Sequence, residues 1–156
     1  MLTNSQQSKL LSFKKNNETI VFTNGCFDII HAGHITYLQE AKDLGSKLVI
    51  GLNSDISVKK IKGNNRPIIP ENQRQTILES LKMVDLVIQF NEETPIDLIK
   101  TVKPDIHVKG GDYKEEELPE YETITNYGGK IEILSFIPNC STSSIIERIL
   151  KTYGNE

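Results

Sequence analysis

Residues 20–34 read IVFTNGCFDIIHAGH, and the order of residue types in that stretch decides the fold. Ile20-Val21-Phe22-Thr23 is apolar, partly β-branched and of strand length. Asn24-Gly25 follows as a turn. From Gly33 to Leu44 the pattern changes period: Ile35, Leu38, Ala41 and Leu44 are spaced to line one face of a helix. Gly45 stops that helix in the usual C-terminal manner. The join between turn and helix is His31-Ala32-Gly33-His34. Free backbone N–H groups at a helix start point to one place, and the helix dipole favours an anion there. Two imidazoles add donors that can follow negative charge as it develops on a phosphoryl group. Gly33 lets a phosphate approach the backbone with no Cβ in the way. A lone helix-start histidine usually caps or faces water; two of them around a glycine, straight after a strand, point to chemistry. No third ligand has the spacing a metal site needs.

Working outward, apolar runs of strand length alternate with helical segments. Leu48 to Leu52 reads as a second strand, Leu86-Val87-Ile88 as a third, Ile106-His107-Val108 as a fourth and Ile131 to Leu134 as a fifth. Helices are expected from Glu71 to Lys82 and from Pro95 to Val102, the latter with Thr94 as its cap. A segment from Glu115 to Tyr127, interrupted by Pro119, and a last helix from Ser143 to Lys151 complete the alternation. Lys59 to Pro70, rich in Lys, Gly, Asn and Pro, is expected as a loop. Residues 1–18 are expected as an extension with a short helix around Gln6 to Lys15. The pattern predicts an α/β fold: a Rossmann-like doubly wound sheet of about five parallel strands in a single domain, residues 1–156. In such sheets ligands bind beyond the carboxyl ends of the strands. Asn24 to His34, Asn53 to Asp55 and Lys109 to Tyr113 all follow strands and should share that edge.

Composition narrows the classes of partner. The formal net charge of -3 gives no broad basic field, so neither nucleic acid nor an anionic membrane is expected as a main partner. Cys26 and Cys140 are far apart and match no metal spacing, and a reducing compartment is the default. The opening residues lack the apolar core of a signal peptide, and no apolar run approaches the ~20 residues of a membrane span. A cytoplasmic, soluble protein is expected. Any anionic substrate must then be held by a few local donors.

Three further stretches supply such donors. Ser141-Thr142-Ser143 stands where the last helix begins, and hydroxyls with free N–H groups suit the β and γ phosphates of a nucleotide; ordinary N-capping uses the same residues. Lys59-Lys60-Ile61-Lys62-Gly63-Asn64-Asn65-Arg66-Pro67 is either a solvated basic loop or a mobile one that closes over substrate. Lys62 is its preferred phosphate contact. Val108-Lys109-Gly110-Gly111-Asp112-Tyr113 ends a strand with two glycines, which fits close approach of a base or ribose with Asp112 accepting from a hydroxyl; a plain turn explains the glycines as well. The chain carries neither G-x-G-x-x-G nor G-x-x-x-x-G-K-[ST].

The HAGH segment resembles the HxGH signature of the cytidylyltransferase-like nucleotidyltransferases, a Rossmann-like superfamily. The resemblance runs from about Ile20 to Ile149. Within that superfamily, TNGCFDIIHAGHITY (Thr23 to Tyr37), Asn53-Ser54-Asp55, Lys62-Gly63, Arg66-Pro67, Val84-Asp85, Glu93-Thr94-Pro95, KGGDY (Lys109 to Tyr113) and Cys140-Ser141-Thr142 are similar to the adenylyltransferases of ADP-heptose synthesis. This likeness implies transfer of AMP from ATP to a heptose 1-phosphate, with Mg²⁺ on the nucleotide and pyrophosphate leaving. It implies His31, His34 and Lys62 as the catalytic set. Asn24, Gly25, Cys26, Phe27, Gly33, Arg74, Gly110, Asp112, Ser141, Thr142 and Ser143 are implied around the nucleotide, and Asp28, Asp55 and Lys109 around the acceptor. Asp28 orients a histidine or the acceptor, or stabilises the turn. Cys140 stands where some relatives place an arginine. A homodimer is implied, as are a separate sugar kinase and phosphatase to supply the sugar 1-phosphate, since the chain shows no kinase portion. The rival readings are a glycerol-3-phosphate cytidylyltransferase and a regulatory module that binds nucleotide without turnover.

Overall fold

Strand β1 (Ile20–Gly25) lies at the centre of a five-stranded sheet whose order is β3-β2-β1-β4-β5, with every pairing parallel. Its neighbours are β2 (Lys47–Asn53) on one side and β4 (Ile106–Gly110) on the other; β3 (Leu86–Phe90) and β5 (Lys130–Leu134) form the edges. This computed structural model describes residues 2–135 and 140–154.

The alternation along each strand divides the core in two. Ile20 and Phe22, Val49, and Ile88 and Phe90 face one layer; Val21, Leu48, Ile50, Leu52, Val87 and Val108 face the other. Burial on both faces is the condition for a parallel sheet and explains why these strands read as continuous apolar runs. The first layer is closed by α1 (Asn4–Lys15), α5 (Ile96–Val102) and α6 (Tyr121–Thr125), through Leu10 and Phe13, Leu98, Ile99 and Val102, and Ile124. The second is closed by α2 (Ala32–Asp43) and α4 (Glu71–Glu79), through Leu38, Ala41 and Leu78. Two further helices, α3 (Asp55–Lys62) and α7 (Thr142–Tyr153), flank the carboxyl edge. Aspartates anchor the opposite edge: Asp105 accepts from the Ile20 N–H at 2.7 Å and Asp85 from the Leu48 N–H at 2.8 Å.

The expected strands are all present, each within two residues of its expected bounds. The N-terminal helix is longer than expected, because Thr3 and Gln6 form a reciprocal capping box. Three expectations need correction. The first third of the expected basic loop, Lys59 to Lys62, belongs to helix α3: the Ser54 hydroxyl caps it, Ser57 and Val58 are buried, and Lys59, Lys60 and Lys62 lie in its last turn, where the dipole favours cations. Thr94 does not cap α5; Pro95 occupies the cap with no side-chain hydrogen bond. The segment around Pro119 splits into a 3₁₀ turn (Glu115–Glu117) and α6.

Candidate active site

Strand order reverses direction between β1 and β4, the point at which adjacent connections leave on opposite sides of the sheet and open a crevice. The register pairs Thr23 with Val108, so Asn24 sits beside Lys109 at the carboxyl edge. A cleft of about 570 Å³ opens there. Its walls include Asn24 to Asp28 after β1, the start of α2, Lys62 at the end of α3, Lys109 and Gly110 at the end of β4, and the start of α7.

The start of α2 is built around packing constraints. Phe27 adopts a left-handed φ of 45°, a conformation costly for a bulky residue, and its buried ring offsets the cost by packing into the second core layer. A methyl on Gly25 would lie 3.0 Å from that ring, so the turn glycine makes room for it. The ring in turn meets His34 at a centroid distance of 5.3 Å. His31 is the N-cap of α2, and its carbonyl accepts from the His34 and Ile35 N–H groups at 2.9 and 3.2 Å. One helical turn therefore brings the two imidazoles into a stack, 3.8 Å between centroids and 24° between planes. Burial pushes the His34 pKa down to about 4, with repulsion from His31 adding to it; burial also lowers His31. Both rings are thus neutral at pH 7, the state in which such a stack carries no repulsion. Nδ1 of each is buried with no hydrogen-bond partner among the described residues.

Gly33 lines the cleft and has a packing role beside the expected one. A Cβ there would stand 2.9 Å from Cys140 Cβ and 3.0 Å from His31 Nδ1. The missing side chain lets the start of α2 press against the residue that leads into α7, so the two helix N-termini open onto one cleft. In the second, Ser141 is the cap: its Oγ accepts from the Ser144 N–H at 3.0 Å, and the Ser144 hydroxyl donates back to the Ser141 carbonyl at 2.8 Å. Ser141 is spent on capping. Thr142 and Ser143 line the cleft, and no hydrogen bond among the described residues engages their hydroxyls.

The basic segment is not an open loop. Asp28, fully buried, accepts from Arg66 Nε at 2.6 Å and from the Ile68 and Ile69 N–H groups at 2.8 Å each. Burial alone would raise the Asp28 carboxyl, but the Ile69 and Ile68 N–H groups and the Arg66 guanidinium outweigh it and hold it below its ordinary value. Asp28 therefore ties the 63–70 segment to the turn after β1; it orients neither histidine. Arg74 is 0% exposed and does not line the cleft. Its Nε donates to the Ile69 carbonyl at 2.9 Å, Nη1 to the carbonyls of Cys26 and Asn53 (2.9 Å for the latter), and Nη2 to Asp55 at 2.8 Å. The expected nucleotide contact is a structural fork joining four segments. Asp55, expected near the acceptor, is committed to that fork and lies outside the cleft wall. Lys62 and Arg66 are the cations of this segment that reach the cleft.

At the end of β4, Lys109 Nζ donates to Glu120 Oε1 at 2.8 Å and approaches Asn24 Oδ1 at 3.5 Å. Glu120 is buried and also meets His107 Nε2 at 3.0 Å. Burial would raise the Glu120 pKa, but the His107 bond and the Lys109 charge bring it down to about 2; burial lowers that of His107. Asp112 is exposed and outside the cleft, whereas Gly110 and Tyr113 line it, so the expected hydroxyl acceptor is not Asp112. Tyr37 and Arg66 stand in stretches singled out in the sequence but are not among the expected site residues, and Glu120 carries no signal there. Tyr37 crosses from α2 to the sheet, its hydroxyl 2.7 Å from Thr23 Oγ1 and donating to the Val108 carbonyl at 3.1 Å, which fixes α2 against the ends of β1 and β4.

Fold and cleft together define a nucleotidyltransferase domain. The chain belongs to the cytidylyltransferase-like family, whose model matches residues 22–148. It is 49% identical over 143 residues to the bifunctional protein HldE of Geobacter metallireducens, covering 92% of this chain and 29% of that relative. It is 51% identical over 141 residues to the bifunctional protein HldE of Pelobacter propionicus, again covering 29% of the relative. The chain thus spans under a third of the length of these curated relatives. Among solved structures, a lipopolysaccharide core biosynthesis protein from Thermoplasma volcanium matches with a TM-score of 0.64 at 35% identity, over 77% of this chain and 97% of that one. Among the described residues no helix is long and apolar enough to cross a membrane, and no group of three or more His, Cys, Asp or Glu side chains is placed to hold a metal ion.

Proposed function

We propose that this domain transfers AMP from ATP to D-glycero-β-D-manno-heptose 1-phosphate, giving ADP-heptose and pyrophosphate. The observation that carries the transfer chemistry is the convergence of a stacked, neutral histidine pair at one helix start with the uncommitted hydroxyls of Thr142 and Ser143 at another, across one cleft. The choice of sugar is supported by the KGGDY and Glu93-Thr94-Pro95 stretches, and by similarity to a protein of lipopolysaccharide core biosynthesis.

The acceptor phosphate is largely dianionic at neutral pH, its second pKa being near ~6, so the reaction needs no general base. Catalysis then reduces to holding the acceptor oxygen in line with the α-phosphorus and stabilising charge on the transferring and leaving phosphates. His31 and His34 face the α-phosphate; neutral before binding, they gain positive character as phosphate charge arrives and leave no cost of separating two cations beforehand. The start of α7, with Thr142 and Ser143, takes the leaving pyrophosphate, and Lys62 neutralises it from the end of α3. Mg²⁺ enters as part of the nucleotide substrate, bound by phosphate oxygens and water. That mode asks little of the protein. A homodimer is part of the same proposal, supported by the apolar outer face of α7, where Ile149, Leu150 and Tyr153 are 49–65% exposed. The phosphorylated acceptor would come from a separate sugar kinase and phosphatase, in a cytoplasmic setting.

The test is pyrophosphate release with Mg²⁺, pairing ATP, CTP, GTP and UTP each with heptose 1-phosphate and glycerol 3-phosphate. Release with ATP and the heptose alone is expected. Release with CTP and glycerol 3-phosphate would replace the substrates and keep the chemistry; nucleotide binding without release from any pair would favour a regulatory module.

A further inference from the structure

We propose that Lys109 binds the hydroxyls of a sugar ring and not a phosphate, and that Glu120 is the positioning residue that assigns it to that task. The proposal rests on the nucleotidyl transfer set out above and deepens it. Glu120 immediately precedes α6 and is 1% exposed, and its Oε1 lies 3.0 Å from His107 Nε2 and 2.8 Å from Lys109 Nζ. His107 is itself fully buried in β4 and stacked on Phe22 at 5.6 Å, so the carboxylate is fixed from beneath by a ring with no freedom to turn away. Lys109 alone of the three reaches the cleft.

A lysine this close to a buried carboxylate adds little net charge to the cleft, and the carboxylate repels any phosphate brought to the same point. What survives is directional: an ammonium N–H held in one orientation beside the Asn24 amide, which has both a donor and an acceptor. A neutral corner with two donors and an acceptor complements vicinal hydroxyls. Phosphates have better partners elsewhere in the cleft, in Lys62 and the starts of α2 and α7. Both reactants carry a hydroxylated ring, the ribose of the nucleotide and the sugar of the acceptor, and the experiment separates them.

Lys109→Met and Glu120→Gln, and the pair combined, are compared with the wild type in three measurements: affinity for ATP and its 2′-deoxy and 3′-deoxy analogues by calorimetry, KM for the acceptor, and affinity for pyrophosphate by calorimetry. Lys109→Met should weaken one ring-bearing ligand by about tenfold, the scale of one hydrogen bond from a charged donor. If the ring is the ribose, ATP falls to the level of a deoxy analogue. If it is the acceptor, KM for the acceptor rises and ATP binding holds. Glu120→Gln should weaken the same ligand and, by unmasking the ammonium, tighten pyrophosphate severalfold; a merely structural role would not produce opposite signs. The double variant should bind the ring no worse than Lys109→Met, since Glu120 acts through Lys109. Pyrophosphate weakened by Lys109→Met as much as the ring ligand would overturn the proposal, as would no change in either. Should Glu120→Gln fail to fold, Lys109→Met, at a partly exposed position, decides alone. Should the wild type turn over no acceptor, the proposed reaction fails separately, and the pyrophosphate response decides the role of Lys109: tightening in Glu120→Gln supports it and its absence sinks it.

Discussion

Arg74→Met separates a nucleotide contact from a structural fork. The methionine keeps most of the buried length and removes every donor. Three carbonyls, those of Cys26, Asn53 and Ile69, lose their partner on a fully buried side chain, and Asp55 loses its counter-charge. A buried acceptor left unpaired costs about 1–3 kcal/mol. Asp55 keeps some solvent contact and adds little. The low end of that range for three carbonyls gives roughly 3–5 kcal/mol, a large share of the ~5–15 kcal/mol by which domains are stable. At about 2–4 °C per kcal/mol for a chain of this size, Tm should fall by about 6–20 °C. Arg74→Lys should lose nearly as much, because an ammonium cannot span four acceptors from three segments. Thermal unfolding followed by circular dichroism gives the first number. Initial-rate kinetics well below the lowered Tm give the second, and kcat/KM for the folded fraction should stay within roughly fivefold, about 1 kcal/mol. An unchanged Tm with a large rise in KM for the nucleotide would refute the reasoning and return Arg74 to the substrate.

Other outcomes follow from the same geometry. His34→Ala should lower kcat on the order of 10²-fold or more in pyrophosphate release, with KM little changed; a loss confined to KM would remove it from the transition state. His34 is neutral in the folded protein down to about pH 4, while the unfolded chain takes up that proton below ~6.5. Its contribution to stability is therefore complete above ~6.5 and is lost as pH falls towards 4. His34→Asn should flatten the denaturation midpoint against pH across that window, and an unchanged slope would contradict the assignment. Triphosphate binding should raise the same pKa, so calorimetry near pH 6 in buffers of different ionisation enthalpy should detect proton uptake that His34→Asn diminishes. Thr142→Ala with Ser143→Ala should raise KM for the nucleotide and leave Tm nearly unaltered, because Ser141 supplies the cap; a fall in Tm comparable to that of Ser141→Ala, about 1 kcal/mol, would contradict that division.

The strands and the first helix were legible because burial on both faces of a parallel sheet demands unbroken apolar runs, and turn glycines bound them. The HAGH segment was legible for the same local reason: strand, turn and helix are written in consecutive residues. Helix α3 was not, because its support is a cap at Ser54 and the burial of Ser57 and Val58, while its other residues read as a basic loop. Arg74 and Asp55 were misassigned for a deeper reason. A guanidinium facing a phosphate and one facing four backbone and side-chain oxygens have the same sequence signature, and only the convergence of the turn at Cys26, the Asn53–Asp55 stretch and Ile69 on Arg74 tells them apart. Glu120 was invisible because its partners, His107 and Lys109, lie on a strand and look like ordinary alternation until the chain returns over them.

These misreadings share a direction. Residues expected to meet substrate through charge, Asp28, Asp55 and Arg74, are consumed in holding the cleft's backbone, while the groups left to meet substrate are imidazoles, hydroxyls, helix-start N–H groups and a few lysines. That division has a physical logic. A site that must stabilise charge only as it moves from acceptor to leaving group gains most from donors already oriented and not already paired. Strong unpaired charges fixed within the cleft would bind ground-state phosphates as tightly as the transition state and give no acceleration. Spent instead on one another and on the backbone, Asp28, Asp55 and Arg74 hold the turn after β1 that leads into His31 and His34. On this argument Asp28→Asn, which frees Arg66 and weakens the tie on Ile68 and Ile69, should act on kcat through misplacement and not through lost binding. A rise in nucleotide KM with kcat intact would show that Asp28 meets substrate directly after all.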